Sequence, residues 1–299
     1  MQREGIWRHS EFDSLFRRIP NSKSDFRIAL SPALYNLPMA NSERTLVVLG
    51  CGTSVGVPMI GCECLVCTSA DPKNNRTRAS VLLQVPGGNI LIDTGPELRI
   101  QFVREKIPIA HALLYTHYHA DHIYGLDDVR LFPMTLKGPL PVYCTAEVER
   151  VIRQSFQYIF GREAEELPMG VLPKLEFRRI VAEPFEILGE RVTPIPLTHG
   201  RFDVFGFRIG NLAYCTDANA IPETSWPLLA SLDTLILDCL RPGKEHPSHF
   251  ALPGALRVID RVKPRRAFLT HLSHQMDSGD PPPMPDHVRL AFDGQRIEF

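Results

Sequence analysis

The chain from Thr45 onward consists of short hydrophobic runs, most of which end in glycine or a polar residue. Runs of about four to eight residues are typical of strands that are buried on both faces. They predict strands over residues 45–49, 79–85, 89–92, 112–115, 141–143, 174–180, 185–188, 191–197, 204–209, 211–215, 235–238 and 267–271. Helical spacing predicts helices over 146–160 and near 252–262, and this alternation indicates an α/β fold. The stretch Pro86-Gly87-Gly88-Asn89 predicts a hairpin turn.

Residues 1–43 lack this pattern, because they are polar and show no clear periodicity. Met39 stands just before the change, so residues 1–38 are interpreted either as an extension, disordered or upstream of a misassigned start, or as an ordered arm that packs on the domain. Residues 44–299 are predicted to form a single domain, because the candidate site residues are spread across them and would have to come together in one site.

Composition excludes several classes of protein. The chain has 299 residues, of which 44% are hydrophobic and 22% charged, as in ordinary soluble proteins. The formal net charge of −1 provides no general attraction for nucleic acid or membranes. The sequence contains neither an apolar run of about 20 residues nor a secretory signal, so a cytoplasmic location is expected. Thiols stay reduced there, and the seven cysteines are therefore interpreted as metal ligands or buried residues.

A dense group of metal-binding side chains follows the predicted strand at 112–115, in the stretch T-H-Y-H-A-D-H at 116–122. His117 and His119 share one face if the extended chain continues, and Asp121 and His122 follow in a loop. Imidazole and carboxylate groups both suit divalent transition metals, so the stretch predicts two metal sites.

Further ligands are predicted at the ends of later strands. Three candidates follow an apolar run and a threonine: His199 in P-L-T-H-G, Asp217 in Y-C-T-D-A and His271 in F-L-T-H-L. Since loops at the ends of strands build functional sites, these side chains are expected to meet at one rim of the sheets.

The stretch T-H-Y-H-A-D-H resembles the HxHxDH signature of the metallo-β-lactamase superfamily. The resemblance implies a four-layer αββα sandwich of the α/β (α+β) class and two divalent metals, Mn²⁺ or Zn²⁺. It assigns His117, His119 and His199 to one metal, and Asp121, His122 and His271 to the other. Asp217 would bridge the two metals. Asp93, in I-L-I-D-T-G-P, would orient a metal-bound histidine, unless it only forms an Asp-Thr-Gly turn.

A second group of ligands lies near the start of the domain, where Cys62, Cys64 and Cys67 form C-x-C-x-x-C. Three close thiolates suit a structural zinc that lacks one ligand, for which His274, His246 and His249 are candidates. A redox dithiol and an iron–sulfur cluster are the alternatives. The other four cysteines lie in or beside predicted strands and are expected to be buried packing residues: Cys51, Cys144, Cys215 and Cys239.

The stretch G-C-G-T-S-V-G-V-P-M-I-G-C-E-C-L-V-C at 50–67 resembles the group of phosphoribosyl 1,2-cyclic phosphate phosphodiesterases of the carbon–phosphorus lyase pathway. The resemblance extends over residues 45–292 and implies that the three cysteines hold a structural Zn²⁺ together with His274. It also implies that small cyclic phosphodiesters are cleaved by a metal-bridging hydroxide. His249 would act as a general acid or phosphate contact, although a packing role is the alternative. The predicted catalytic residues are therefore Asp121, Asp217 and His249.

Other assignments stay open at this point. Arg76, Arg78 and Arg130 suit phosphate recognition, but Arg130 could equally pair with a nearby aspartate, and His246 is either a pocket or a surface residue. A ribonuclease Z-like tRNA 3′-processing endonuclease is the first alternative function, although no glycine-rich basic arm is visible and nucleic acid is the less favoured partner. An oxidative metalloprotein of cofactor biosynthesis is the second. The sequence does not decide the oligomeric state, a homodimer included.

Overall fold

The computed structural model describes residues 44–299, and the expected extension over residues 1–43 lies outside the described residues. The described chain forms two seven-stranded sheets, which we call sheet one and sheet two. The strands of sheet one are β1 Thr45–Gly50, β2 Ser80–Val85, β3 Gly88–Ile92, β4 Ala112–Leu114, β5 Leu140–Cys144, β6 Leu175–Arg179 and, last in the chain, β14 Arg296–Glu298. Those of sheet two are β7 Phe185–Ile187, β8 Glu190–His199, β9 Phe202–Ile209, β10 Leu212–Cys215, β11 Thr234–Asp238, β12 Arg266–Thr270 and β13 Val288–Leu290.

Six α-helices and four 3₁₀ segments connect these strands within residues 44–299. The helices are α1 Leu98–Glu105, α2 Ala120–Ile123, α3 Phe132–Leu136, α4 Ala146–Ser155, α5 Arg162–Glu166 and α6 Leu252–Val262. The 3₁₀ segments are Pro72–Asn74, Leu126–Leu131, Gln157–Ile159 and Glu223–Leu229. Nowhere in this part of the chain does a helix have the length and hydrophobicity needed to cross a membrane.

Both sheets contain parallel and antiparallel strands. Sheet one has the order β14-β1-β2-β3-β4-β5-β6, with parallel pairing from β3 to β6. Sheet two has the order β13-β12-β11-β10-β9-β8-β7, with parallel pairing from β10 to β13. The carboxyl ends of parallel strands lie at the same edge of a sheet and are a common place for ligand sites.

The hydrophobic runs of the sequence reflect two cores on opposite faces of sheet one. In β1, Leu46 and Val48 contribute to the large core that sheet one shares with sheet two. Val47 and Leu49 point the other way, into a second core with residues of α1 and α4. Since successive side chains alternate between the faces of a strand, both faces are apolar and the run is continuous. The predicted α/β sandwich, two sheets flanked by helices, is confirmed.

Most predicted elements are present, but several bounds and small elements differ. The hairpin turn is confirmed, because Val85 pairs with Gly88 and leaves Pro86 and Gly87 as its loop. The predicted helix over 146–160 is too long: α4 ends at Ser155, because Phe156 leaves the helical conformation and buries its ring. The hydrophobic pattern did not identify α1, α2, α3, α5, β13 or β14. These elements are short or weakly amphipathic, and packing decides their conformation.

Candidate active site

The candidate ligands lie where strands end at one rim of the sandwich. Asp93 follows β3, and the segment His117 to His122 follows β4 and continues into α2. His199 is the last residue of β8, Asp217 stands just beyond β10, and His271 follows β12 directly. The predicted convergence of these strand ends is present in the structure.

Three of these residues have an unusual backbone conformation. Asp93, Asp217 and His271 have φ angles of 63°, 53° and 59°, in the left-handed region that is uncommon for residues other than glycine. Such conformations persist only where the surrounding structure holds them, and they are frequent at functional sites. All three positions directly follow or closely follow the end of a strand at this rim.

The first donor cluster contains His117, His119, His199 and Asp217, whose ligand atoms all lie within 4.8 Å of one another. Asp217 Oδ2 is 3.8 Å from His117 Nε2 and 3.9 Å from His199 Nε2. The other ring nitrogen of His199 donates to the carbonyl oxygen of Ser248 at 2.6 Å. This bond orients the imidazole and leaves Nε2 free to bind a ligand.

The second donor cluster contains Asp121, His122, His271 and again Asp217. His122 Nε2 lies 3.4 Å from Asp121 Oδ2 and 3.3 Å from Asp217 Oδ1, while His271 Nε2 lies 3.5 Å from Asp217 Oδ2. Asp217 therefore belongs to both clusters, with Oδ1 near His122 and Oδ2 near His117, His199 and His271.

Asp93 is fully buried and lies behind the second cluster. Its Oδ2 is 2.8 Å from His122 Nδ1, and Oδ1 accepts the backbone N–H of Thr116 at 2.9 Å. The Thr116 hydroxyl also donates to Oδ2 at 2.8 Å. These contacts place the carboxylate where it can orient the ring of His122.

The composition and burial of the two clusters fit divalent cations. His122 Nε2 and both ring nitrogens of His271 are buried without a hydrogen-bond partner. Burial lowers the pKa of His117 well below its usual range, so this imidazole is neutral as a ligand must be. Burial acts in the same direction on His122, but Asp217, Asp121 and Asp93 raise its pKa well above the usual range. A cation would compensate the concentrated negative charge that causes this shift.

Burial alone would raise the pKa of Asp217, but the neighbouring imidazoles of His271 and His122 hold it well below the usual value. The pKa of His271 is raised to about 9, because Asp217 and other carboxylates outweigh the opposite effect of burial. The Asp217 carboxylate is therefore charged at neutral pH, and the chain supplies donors for two adjacent ions.

A fourth acidic residue, to which the sequence patterns assigned no role, lies beside the clusters. Asp238 ends β11 and is completely buried, and its Oδ2 lies 2.8 Å from His249 Nδ1. It accepts backbone N–H groups from Phe250 at 3.1 Å and from Ala218 at 3.3 Å. The His249 ring stacks on His271 at 4.4 Å and lies 4.6 Å from His199. The run L-I-L-D at 235–238 could have identified Asp238, because it has the same form as the other ligand-bearing strand ends.

The cysteine cluster lies in a separate loop with His274. His274 Nδ1 is 3.2 Å from Cys62 Sγ, 3.5 Å from Cys64 Sγ and 3.7 Å from Cys67 Sγ, distances that suit four ligands around one ion. The backbone N–H of Cys67, which donates to Cys64 Sγ, is the main reason that the pKa of the Cys64 thiol falls to about 6. His246 and His249 do not belong to this cluster. The ring of His249 lies 4.6 Å from that of His199 at the rim, and the ring of His246 lies 5.3 Å from that of His249.

The remaining cysteines are free and buried, which confirms the prediction that they are packing residues: Cys51, Cys144, Cys215 and Cys239. Burial raises the pKa of the Cys215 thiol to about 12. Such thiols are protonated and unreactive at neutral pH.

The three candidate arginines have structural contacts. Arg130 forms an ion pair with Asp127, and Arg78 forms one with Glu97 and also donates to the carbonyl of Ser54. Arg76 is buried, and its guanidinium donates to the carbonyls of Lys73, Ser273 and Met276 and to the side chains of Asn74 and Ser278. Arg76 therefore joins the segment before β2 to the segment that carries His274.

Replacing Arg76 by lysine should destabilise the fold by about 1–2 kcal/mol, because an ammonium cannot reproduce the planar fork of donors. Urea unfolding should show a lower midpoint with an unchanged m value. Arg150→Lys is the control, since Arg150 is exposed on α4. Equal midpoints for the two variants would contradict the structural role of Arg76.

Comparisons with known proteins agree with this fold. A family model described as the beta-lactamase superfamily domain matches residues 88–272. A solved structure described as a new diphosphatase from the PhnP family is 41% identical, with a TM-score of 0.78, and the match covers 86% of this chain and 97% of that chain.

Curated relatives have several different names. An octanoyltransferase of Porphyromonas gingivalis is 35% identical over 83% of this chain and 50% of its own length, so the chain spans half of that relative. The coenzyme PQQ synthesis protein B of Methylobacterium radiotolerans is 28% identical over 74% of this chain and 69% of its own length. A ribonuclease Z of Borrelia duttonii is 31% identical over 30% of this chain and 33% of its own length.

The family match spans more than half of the chain, and the candidate ligands meet at the rim of the predicted sandwich. The predicted resemblance to the PhnP group is confirmed at this level. The chain belongs to the metallo-β-lactamase superfamily.

Proposed function

We propose that the protein is a metal-dependent phosphodiesterase that hydrolyses small phosphodiesters, a class that includes phosphoribosyl 1,2-cyclic phosphate. The observation that carries the proposal is the pair of buried donor clusters that share Asp217, with the Asp238–His249 pair beside them. Adjacent metals suit phosphoryl chemistry, in which attacking and leaving oxygens both carry negative charge.

The first cluster, His117, His119, His199 and Asp217, would hold one divalent ion, and Asp121, His122, His271 and Asp217 would hold the other. Such ions would lower the pKa of water and neutralise charge on a phosphate group. The imidazole and carboxylate donors accept either Mn²⁺ or Zn²⁺. Cys62, Cys64, Cys67 and His274 would hold a structural Zn²⁺ away from the reaction.

The remaining groups of the chain orient the ligands and transfer a proton. Asp93 fixes the ring of His122 and the Ser248 carbonyl fixes that of His199. Asp238 accepts the Nδ1–H of His249, which leaves Nε2 to carry the second proton of the imidazolium. His249 can therefore protonate the oxygen that leaves when the ester bond breaks.

Replacing His249 by glutamine should lower kcat for an alkyl phosphodiester by about 10²–10⁴-fold, because an alkoxide leaves only when it is protonated. A p-nitrophenolate needs no proton, so hydrolysis of bis-p-nitrophenyl phosphate should change little. The ratio of the two kcat values measures the role of His249 as an acid.

His287→Gln is the matched control, since His287 is exposed beside β13 and outside the donor clusters. Asp238→Asn should also lower kcat for the alkyl phosphodiester more than kcat for bis-p-nitrophenyl phosphate, since the amide cannot provide the charge that stabilises the imidazolium. Equal losses on both substrates would contradict a general acid and would favour a role for His249 in holding the phosphate or the fold.

The substrate class is tested by metal analysis and a panel of substrates. Phosphoribosyl 1,2-cyclic phosphate, nucleoside cyclic phosphates, a diphosphate diester and a precursor tRNA should be assayed with the Mn²⁺- or Zn²⁺-loaded protein. Turnover of the small diesters supports the proposal. Turnover of the diphosphate alone would favour the activity named for the relative that is 41% identical. Cleavage of the tRNA alone would favour the ribonuclease Z activity, and bound metal without any hydrolysis would contradict the phosphodiesterase.

A further inference from the structure

A cavity of about 500 Å³ opens at the rim of the sandwich, beside the first donor cluster. Its wall includes His117 and Tyr118 after β4, Ala146 at the start of α4, and Phe205 in β9. Small-molecule sites have volumes of about 300–1,000 Å³ and occur at such strand ends. The cavity thus has the size of a ligand site and shares His117 with the first donor cluster.

Tyr118 connects the cavity with the candidate active site. Its ring lies 5.8 Å from the His119 ring and 6.0 Å from the ring of Phe202. Phe202 in turn lies 5.4 Å from His119 and is 44% exposed. A substrate whose phosphate lies at the donor clusters can therefore extend its organic group along these aromatic rings.

The charges in the wall select the kind of group that can enter. Two exposed carboxylates, Glu147 and Asp203, line the cavity, and the rest of the wall is mostly apolar. Arg179 is the one cation among the described residues of this wall, and it already bonds Glu149 Oε2 at 2.7 Å. A second anionic group would meet the carboxylates, whereas a neutral group with N–H donors could bond to them.

We propose that this cavity binds the base of a nucleoside, so that the substrate is a small phosphodiester of a nucleoside. A nucleobase is flat and neutral, can stack against Tyr118 and Phe205, and carries N–H groups for Glu147 and Asp203. The proposal rests on the phosphodiesterase function and adds the substrate class. Phosphoribosyl 1,2-cyclic phosphate, which carries a second charged phosphate and no base, is therefore expected to be a poorer substrate than a nucleoside diester.

Binding of adenosine to the full-length protein, measured by isothermal titration calorimetry, tests the cavity without turnover. The wild type should show saturable binding. Ala146→Trp should weaken it at least about tenfold, because the indole occupies the space of the base. Ala230→Trp is the control, since Ala230 is exposed and outside the wall. Wild type that binds no adenosine, or an Ala146→Trp variant that binds it equally well, would overturn the proposal.

Kinetics with two esters provide the second test. Thymidine 5′-p-nitrophenyl phosphate and methyl p-nitrophenyl phosphate share a leaving group and differ in the group that would enter the cavity. Ala146→Trp should lower kcat/KM for the thymidine ester at least about tenfold and leave that for the methyl ester nearly unchanged. Equal effects on the two esters would overturn the proposal, and an intact methyl-ester rate shows that the variant is folded.

The two proposals fail in different ways. Hydrolysis of methyl p-nitrophenyl phosphate without adenosine binding contradicts the nucleoside cavity alone. Adenosine binding without hydrolysis of any diester contradicts the phosphodiesterase and supports the cavity. A short oligoadenylate that binds more tightly than adenosine would identify an RNA end as the source of the nucleoside, whereas equal binding would identify a mononucleotide, and both results support the cavity.

Discussion

Replacing Asp217 by asparagine should lower kcat at least about 1,000-fold, equivalent to about 4 kcal/mol of transition-state stabilisation. The Asp217 carboxylate lies within 4 Å of ring nitrogens from both donor clusters, namely those of His117, His122, His199 and His271. Asparagine has nearly the same size and tolerates the left-handed backbone at this position, so the fold should persist. The change removes the charge that both proposed ions would share.

Three measurements separate chemistry from folding in this variant. Far-UV circular dichroism should be unchanged, kcat should fall, and metal analysis should show loss from the donor clusters while one Zn²⁺ stays in the cysteine cluster. Asp260→Asn is the matched control, because Asp260 is an exposed carboxylate on α6. Near-normal activity of Asp217→Asn would contradict the shared-ligand arrangement. Asp121→Ala and His199→Ala should also abolish turnover, since each removes a donor from one cluster.

Replacing Cys64 by serine should destabilise the protein by about 3–5 kcal/mol, since loss of a structural metal is among the most damaging changes. For a domain of this size, the melting temperature should fall by roughly 6–20 °C. The cluster joins the loop at 62–67 to His274, and His274 is three residues beyond His271. Loss of the ion should therefore loosen the segment that presents His271.

Differential scanning calorimetry with zinc analysis tests this expectation, and Glu63→Gln is the control because Glu63 is an exposed neighbour in the same loop. The rate per folded, metal-loaded molecule should be nearly unchanged, since no thiolate belongs to the two donor clusters of the active site. Unchanged zinc content and melting temperature in Cys64→Ser would contradict a structural ion. Loss of activity without loss of stability would indicate that the cysteines take part in the reaction.

Local sequence patterns predicted most of the sandwich. Strands buried on both faces appear as continuous apolar runs, and the two-residue hairpin loop at Pro86 and Gly87 follows from local turn preferences. The small elements were missed because their stability comes from packing. In α1, for example, Leu98 and Phe102 are buried in the second core, although the helix has only eight residues.

The sequence by itself determined the residue types and spacing of the candidate site. The spacing in T-H-Y-H-A-D-H and the ligands that repeatedly follow a strand are local features. Each lies within a short stretch of sequence and can be recognised without knowing which segments pack against it. The resemblance they support then predicted the superfamily and the two ligand sets. The four buried cysteines could be distinguished from the three loop cysteines for the same reason, since their surroundings along the chain are apolar.

Only the tertiary structure decided which distant groups act together. Asp238 meets His249, eleven residues away, because β11 ends against the segment after it, and Arg76 reaches carbonyls some 200 residues further along the chain. The left-handed turns at Asp93, Asp217 and His271 and the cavity beside Tyr118 likewise depend on how the two sheets pack. Contacts between distant segments follow from the packing of the whole domain, which periodicity and spacing along the chain do not encode.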